Sequence, residues 1–293
     1  MPLFGKPKNP KELVQTLSEN LLILNGSSRP EKELRKALDN IASALGNLRE
    51  LLTDKSDARF TGREPDPELS NSERIRINEV VTEITHELIN LNVIPLLVNN
   101  LDVIGFESSK HVVELFCHVL HRQIGPYNLA VKHLLANPNI LISLIHGYPK
   151  PEQAIHYGAI IRDACRHEAV AELVLRSPEF YQLFDYVQST AFDVSSDALA
   201  TVKYLLTHHK KLVGNFLVSN YDEFFQHYSK LIASENYVTQ RQALRFLGEL
   251  LLERHNFPMM TRYVADAENL KVIMNLLKSQ HRHVAFEAFH CFK

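Results

Sequence analysis

Apolar positions along this chain recur at intervals of three and four residues almost throughout, the spacing that keeps side chains on one side of an α-helix. Leu270, Ile273, Met274 and Leu277 follow the i, i+3, i+4, i+7 pattern, and Phe224, Tyr228 and Leu231 follow i, i+4, i+7. No alternating apolar-polar runs of strand type stand out, and only 10 glycines punctuate 293 residues. The pattern predicts an all-α protein.

The predicted helices repeat. The segments GAIIRDACRH, ATVKYLLTHH and FLGELLLERH close at His167, His209 and His255, which are 42 and 46 positions apart by subtraction. That period suits armadillo and HEAT repeats. Each segment follows a shorter apolar helix, NILISLIHG, EFYQLFDYV or DEFFQHYSKLI. An earlier unit is expected over Val80 to Ile124, and a last one starts near Glu268. A helix pair of this kind cannot bury its apolar face alone, so residues 77–293 are expected to stack into an armadillo/HEAT-like helical-repeat solenoid with one continuous core. Residues 1–53 differ. They predict two helices, Pro10–Leu24 and Glu31–Leu52, that cap the first repeat. Between cap and repeats, residues 54–76 are poor in apolar residues and rich in Pro, Ser and charge, and read as a flexible linker. The last repeat stops at Phe292-Lys293, within what would be its closing helix, so an apolar face is expected to stand uncovered there.

The most informative stretch is SENYVTQRQALRFLGELLLERHNF, from Ser234 to Phe257. Thr239 and Gln242 have the spacing of a capping box, which predicts a helix start. At 100° per residue Ala243, Leu244, Leu247, Leu250 and Leu251 share one arc, while Arg241 and Arg245 fall together on the other side, one turn apart. Arg254 would lie on the core side of a regular helix, so it is expected at a frayed end, pointing outward. Repeat solenoids use one helix row as an extended concave binding surface, arginine is enriched in interface hot spots, and Phe192 and Phe257 lie near equivalent turns of neighbouring repeats.

Composition narrows the remaining classes. With 45% hydrophobic and 23% charged residues the chain is ordinary globular material, and a formal charge of −2 argues against a nucleic-acid footprint. No run approaches the length of a membrane span. The start MPLFGKPKNPKEL lacks the apolar core of a secretory signal, and Pro2 stands where myristoylation needs glycine. Cys117, Cys165 and Cys291 are read as free thiols in a reducing compartment, the cytoplasm. Cys117, His118 and His121 have helical spacing that can hold a metal, but Cys117 sits in the apolar run VVELFCHVL and no second cluster supplies further ligands. They read as a packed cysteine beside two surface histidines. No nucleophile elbow, P-loop, kinase glycine loop or dinucleotide fingerprint is present. No catalysis, metal or cofactor is expected.

Beside the Ser234–Phe257 stretch, GFESSKHVVELFCHVLHRQIG, STAFDVSSDALATVKYLLTHHK, ENLKVIMNLL and FEAFHCFK resemble the calcium-binding protein 39 family. The resemblance runs from about Lys11 to the end and strengthens towards the C-terminus, while the linker looks longer than the family's. Despite the family's name there is no D-x-D-x-D-G calcium loop. The resemblance implies a non-catalytic scaffold that holds a STE-type pseudokinase, STRAD, in a closed active-like conformation, activates liver kinase B together with it, and activates sterile-twenty-like kinases directly. It places Phe192, Arg241, Arg254 and Phe257 on the concave kinase-binding face, which Arg245 extends. It also makes Met274 part of a pocket for a short Trp-Glu-Phe tail of the pseudokinase. A solenoid adaptor that binds peptides or proteins without activating kinases is the alternative.

Overall fold

The computed structural model describes residues 9–26, 29–52, 71–121 and 128–293, with the side chains of 71–78 outside that description. Among these residues are seventeen α-helices, one short 3-10 helix and no strand. No described helix is long and apolar enough to cross a membrane. The helices group into two compact units, residues 1–147 and 148–293.

The first unit opens on two helices with the expected bounds, α1 (Pro10–Leu24) and α2 (Glu31–Leu52). The Asn9 side chain accepts from the Lys11 amide at 3.0 Å and Pro10 occupies the first helical position, where its missing N–H costs nothing. Leu13, Val14, Leu17 and Leu21 of α1 pack with Ile41, Leu45, Leu48 and Leu52 of α2, all buried. Each such side chain contributes about 1.5–3 kcal/mol on leaving water. The pair lies against α3 (Asn71–Asn90), α4 (Val93–Asn99) and α5 (Phe106–His121). Helix α3 takes up the last six residues, 71–76, of the expected 54–76 linker, whose residues 54–70 lie outside the described ones. Helices α6 (Leu129–Ala136) and α7 (Asn139–His146) complete the unit. Within α5, Cys117 is buried with its sulfur 3.3 Å from His121 Nδ1, and His118 is buried as well, not on the surface as its spacing implied. It falls on the same arc as Leu115 and Val119, which face the core.

In the second unit each repeat carries three helices, not two. After α8 (Ala154–Ala164) come α9 (Glu168–Arg176), α10 (Glu179–Val187) and α11 (Phe192–Thr207). The next triplet is α12 (Lys210–Ser219), α13 (Tyr221–Ile232) and α14 (Tyr237–Leu252), and the last is α15 (Phe257–Ala265), α16 (Ala267–Leu277) and α17 (Arg282–Phe292). The short first helices α9, α12 and α15 were hidden because the histidine-ended segments run straight into them. His167 and His209 are their N-caps, and His255 lies in the 3-10 turn before α15. The closing helices α8, α11, α14 and α17 start 38, 45 and 45 residues apart by subtraction, the period of an armadillo-like repeat.

Edge-to-face and stacked aromatic contacts run through the core, within α10 and α13 and between them. Phe180 meets Phe184 at 5.4 Å between ring centres, Phe184 meets Phe224 at 5.9 Å, and Phe224 meets Tyr228 at 5.3 Å. The Tyr228 hydroxyl donates to the Ala243 carbonyl at 2.8 Å, so its one polar atom is satisfied inside the core and pins α13 to α14.

Candidate partner-binding face

Helix α14 carries two of the candidate residues, Arg241 and Arg245. Its cap is Asn236, whose side chain accepts from the Val238 and Thr239 amides at 2.9 and 3.3 Å. The helix thus starts two residues before Thr239, which is buried inside its first turn. Asparagine caps at least as well as threonine, and its position lets the oxygen reach both the second and third amides. Ala243, Leu244, Leu247 and Leu250 are buried as expected. Phe246 is fully buried too, because α14 packs on its own repeat and on both neighbouring closing helices. That leaves a narrow outward stripe, which carries Arg241 and Arg245.

Arg241 Nε lies 3.5 Å from Glu287 of α17, and Arg245 Nε lies 3.4 Å from Glu249 one turn along its own helix. Lys203 of α11 donates to Gln242 Oε1 at 3.4 Å and sits 5.4 Å from the Phe246 ring centre. Burial, with Arg245 adding repulsion, holds its ammonium below the ordinary lysine value, while Glu249 and Glu287 pull the other way. Phe192 opens α11 and is 73% exposed. It lines a groove of about 350 Å³ with Leu199, Lys203, Val238 and Gln242, so α11 and the N-terminal end of α14 form one surface.

Arg254 and Phe257 stand at the opposite end of α14. Glu253 leaves helical geometry, and its side chain accepts from the His255 amide to open the 3-10 turn Arg254–Asn256. Arg254 is exposed within that turn, as the frayed-end expectation required, and Phe257 follows it at 63% exposure. The turn is fixed from both sides. Asn256 is buried and donates to the Leu250 carbonyl at 3.0 Å, and Gly214 of α12 comes so near that a Cβ there would strike the His255 carbonyl. Hydrogen bonds from His255 and Lys210 hold the Glu253 carboxyl down to about 2.

Because that folded value lies below the unfolded one of about 4.3, the carboxylate's contribution is complete above the unfolded value and is lost as pH falls through the folded one. The melting difference between the parent and Glu253→Gln should therefore persist at neutral pH and close as pH falls from about 4 towards 2. A difference that stayed constant over that range would show that the charge does not shape the turn.

With 16 residues, α14 is about 24 Å long, so the Phe192–Arg241 group and the Arg254–Phe257 group stand at opposite ends of it. Met274 joins neither. It stands on α16, 47% exposed beside Leu270 and Val272, and Phe286, Phe289 and Phe292 of α17 are also half exposed. Neither Cys165 nor Cys291 is an activated nucleophile: burial pushes Cys165 far up and Cys291 up to about 11, so both stay protonated at neutral pH. Sequence reasoning missed Lys203 and Glu287. The signal for Glu287 was a charge set among Val284, Ala288 and Cys291, where an enclosed carboxylate needs a cation.

A family model described as Mo25-like matches residues 2–293. The human relative named "Calcium-binding protein 39-like" is 42% identical over 294 residues, covering 100% of this chain and 82% of its own length. "MO25-like protein 2" of Caenorhabditis elegans is 42% identical over 295 residues, covering 100% of this chain and 82% of its own. A "Mo25-like protein" of Schizosaccharomyces pombe is 37% identical over 292 residues, covering 99% and 83%. Among solved structures, a designed armadillo repeat protein in complex with the peptide (KR)4 aligns with a TM-score of 0.50 at 14% identity, over 97% of this chain and 98% of its own, a likeness of fold alone.

Proposed function

Because the chain belongs to the Mo25-like family, we propose that it is a non-catalytic cytoplasmic scaffold that activates STE-type kinases by binding their active conformation. The partners are sterile-twenty-like kinases and a STRAD-like pseudokinase together with a liver kinase B-like kinase. The observation that supports this reading is that Phe192, Arg254 and Phe257 are exposed and Arg241 partly exposed around the two ends of α14, the residue types the family uses against kinases.

The mechanism is a shift of population. A scaffold that binds only the closed kinase conformer favours it by at most its differential affinity, and about 2.7 kcal/mol moves the equilibrium a hundredfold. A few desolvated aromatic and arginine anchors, each worth about 2 kcal/mol or more on truncation, supply that. The test is the activity of a purified sterile-twenty-like kinase, and of the pseudokinase–kinase pair, with and without this chain. Stimulation of both is expected from the face together with Met274. Stimulation of the lone kinase only would remove the tail-pocket role of Met274. No stimulation by folded protein would sink the reading.

A further inference from the structure

Glu287 belongs to α17, yet it faces α14. Its side chain is 11% exposed, and its ion pair with Arg241 is the one it forms among the described residues. Helix α17 is fixed against α14 by the buried Val284 and Ala288 and by the Cys291 thiol, which donates to the Leu244 carbonyl at 3.2 Å. The carboxylate therefore stands on a rigid support. A charge so enclosed is costly to leave without its counter-charge, because attraction to the cation offsets the hydration lost. If Arg241 swung away to a partner, Glu287 would lose its ion pair and keep only the longer-range attraction of Lys203.

Nε is the guanidinium atom nearest the carboxylate, an ion pair at 3.5 Å rather than a hydrogen bond, while 38% of the Arg241 side chain remains exposed. A guanidinium held at that position still offers its two terminal amino groups, the fork that takes a carboxylate through two parallel hydrogen bonds. Arg245 repeats the arrangement one turn on, with Nε against a Glu249 that is itself 49% exposed and so a looser anchor. Lysine could not do the same, since its single ammonium cannot serve both groups in fixed geometry.

We propose that Glu287 is the positioning residue of the face: it clamps Arg241 through Nε and so pre-sets the terminal amino groups for an Asp or Glu side chain of the bound partner. Arg241 is then shared between Glu287 and that carboxylate, not handed over. The inference rests on the kinase-binding reading of the face and adds the chemistry of the group the partner brings. One consequence is that Arg241→Ala is not a plain surface truncation, because it removes an anchor and the ion pair of a buried carboxylate together.

The experiment follows binding of a purified sterile-twenty-like kinase to the full chain and to Glu287→Gln, Arg241→Ala and the double variant. The Arg241 Nε–Hε resonance of the free protein and the melting temperature are recorded alongside. Glu287→Gln should shift that resonance and weaken kinase binding about tenfold, and should add nothing once Arg241 is alanine. Unchanged or tighter binding by Glu287→Gln overturns the inference, because the carboxylate is then idle or competes with the partner. So does an equal loss in the Arg241→Ala background, which would mean that Glu287 acts only through the packing of α17. A resonance indifferent to Glu287→Gln dissolves the ion pair itself. If the resonance responds but neither substitution affects kinase binding, or the parent chain does not bind, the kinase-binding reading falls and this inference falls with it.

Discussion

Gly158→Ala is expected to destabilise the second unit by about 3 kcal/mol, which for a domain of this size lowers its melting temperature by roughly 6–12 °C. Gly158 lies in α8, where it faces a polar cluster inside the core. Arg162 holds Asp197 of α11 through two bonds of 3.0 Å, and its Nη1 also donates to Thr201 at 2.6 Å. The buried Tyr148 hydroxyl donates to Asp197 at 3.0 Å, and Thr201, 2.7 Å away, completes the ring. Burial, then the Asp197 charge, pushes the Tyr148 phenol well above its ordinary value, so it stays a neutral donor. A Cβ on Gly158 would land on the Asp197 carboxylate and crowd the Tyr148 hydroxyl, with Arg162 Nη1 at 2.8 Å. The methyl could enter only by parting groups whose desolvation each of them offsets. Gly46, in α2, has nothing within 4 Å of a Cβ and serves as the control, where alanine should raise helix stability by about 0.5–1 kcal/mol. If Gly158→Ala melts with the parent, the cluster is not closed around that glycine.

The contrast between these glycines marks what a sequence alone displays. The period of the apolar positions is a local signal, and it announced the helices, the bounds of α1 and α2, and the repeat length. It did not show that each repeat holds three helices, because the break between a closing helix and the next first helix is a single turn around His167, His209 or His255, and only the last is followed by a proline, Pro258, at the start of α15. It could place Arg241 and Arg245 outward, since that follows from angle alone. It could not place Glu287 beside Arg241, or Gly158 against Asp197, because those pairs are 46 and 39 residues apart by subtraction and meet only when repeats stack. The arc of α14 failed in the same way: Phe246 is buried by a neighbouring repeat, which a single-helix projection does not contain. The family was legible through the resemblance, and physics then decides which residues test the proposed function cleanly.

The double variant Phe192→Ala/Phe257→Ala is that clean test, and it is expected to lower kinase stimulation at least a hundredfold while the protein melts as the parent does. Both rings are mostly in water before binding, so truncation opens no cavity and breaks no ion pair, unlike Arg241→Ala. Loss of stimulation would then report lost contact alone. Each ring, covered on docking, is worth about 2 kcal/mol or more as a central anchor. The two lie at opposite ends of α14, about 24 Å apart along it, with no shared neighbour, so their effects on binding should add. A folded kinase domain is rigid and wide enough to press on both ends, and both single substitutions should therefore weaken it. A short peptide held in the Phe192 groove would be indifferent to Phe257, and that result would favour an adaptor without kinase activation. Stimulation that survives in the double variant would take the kinase off this face altogether.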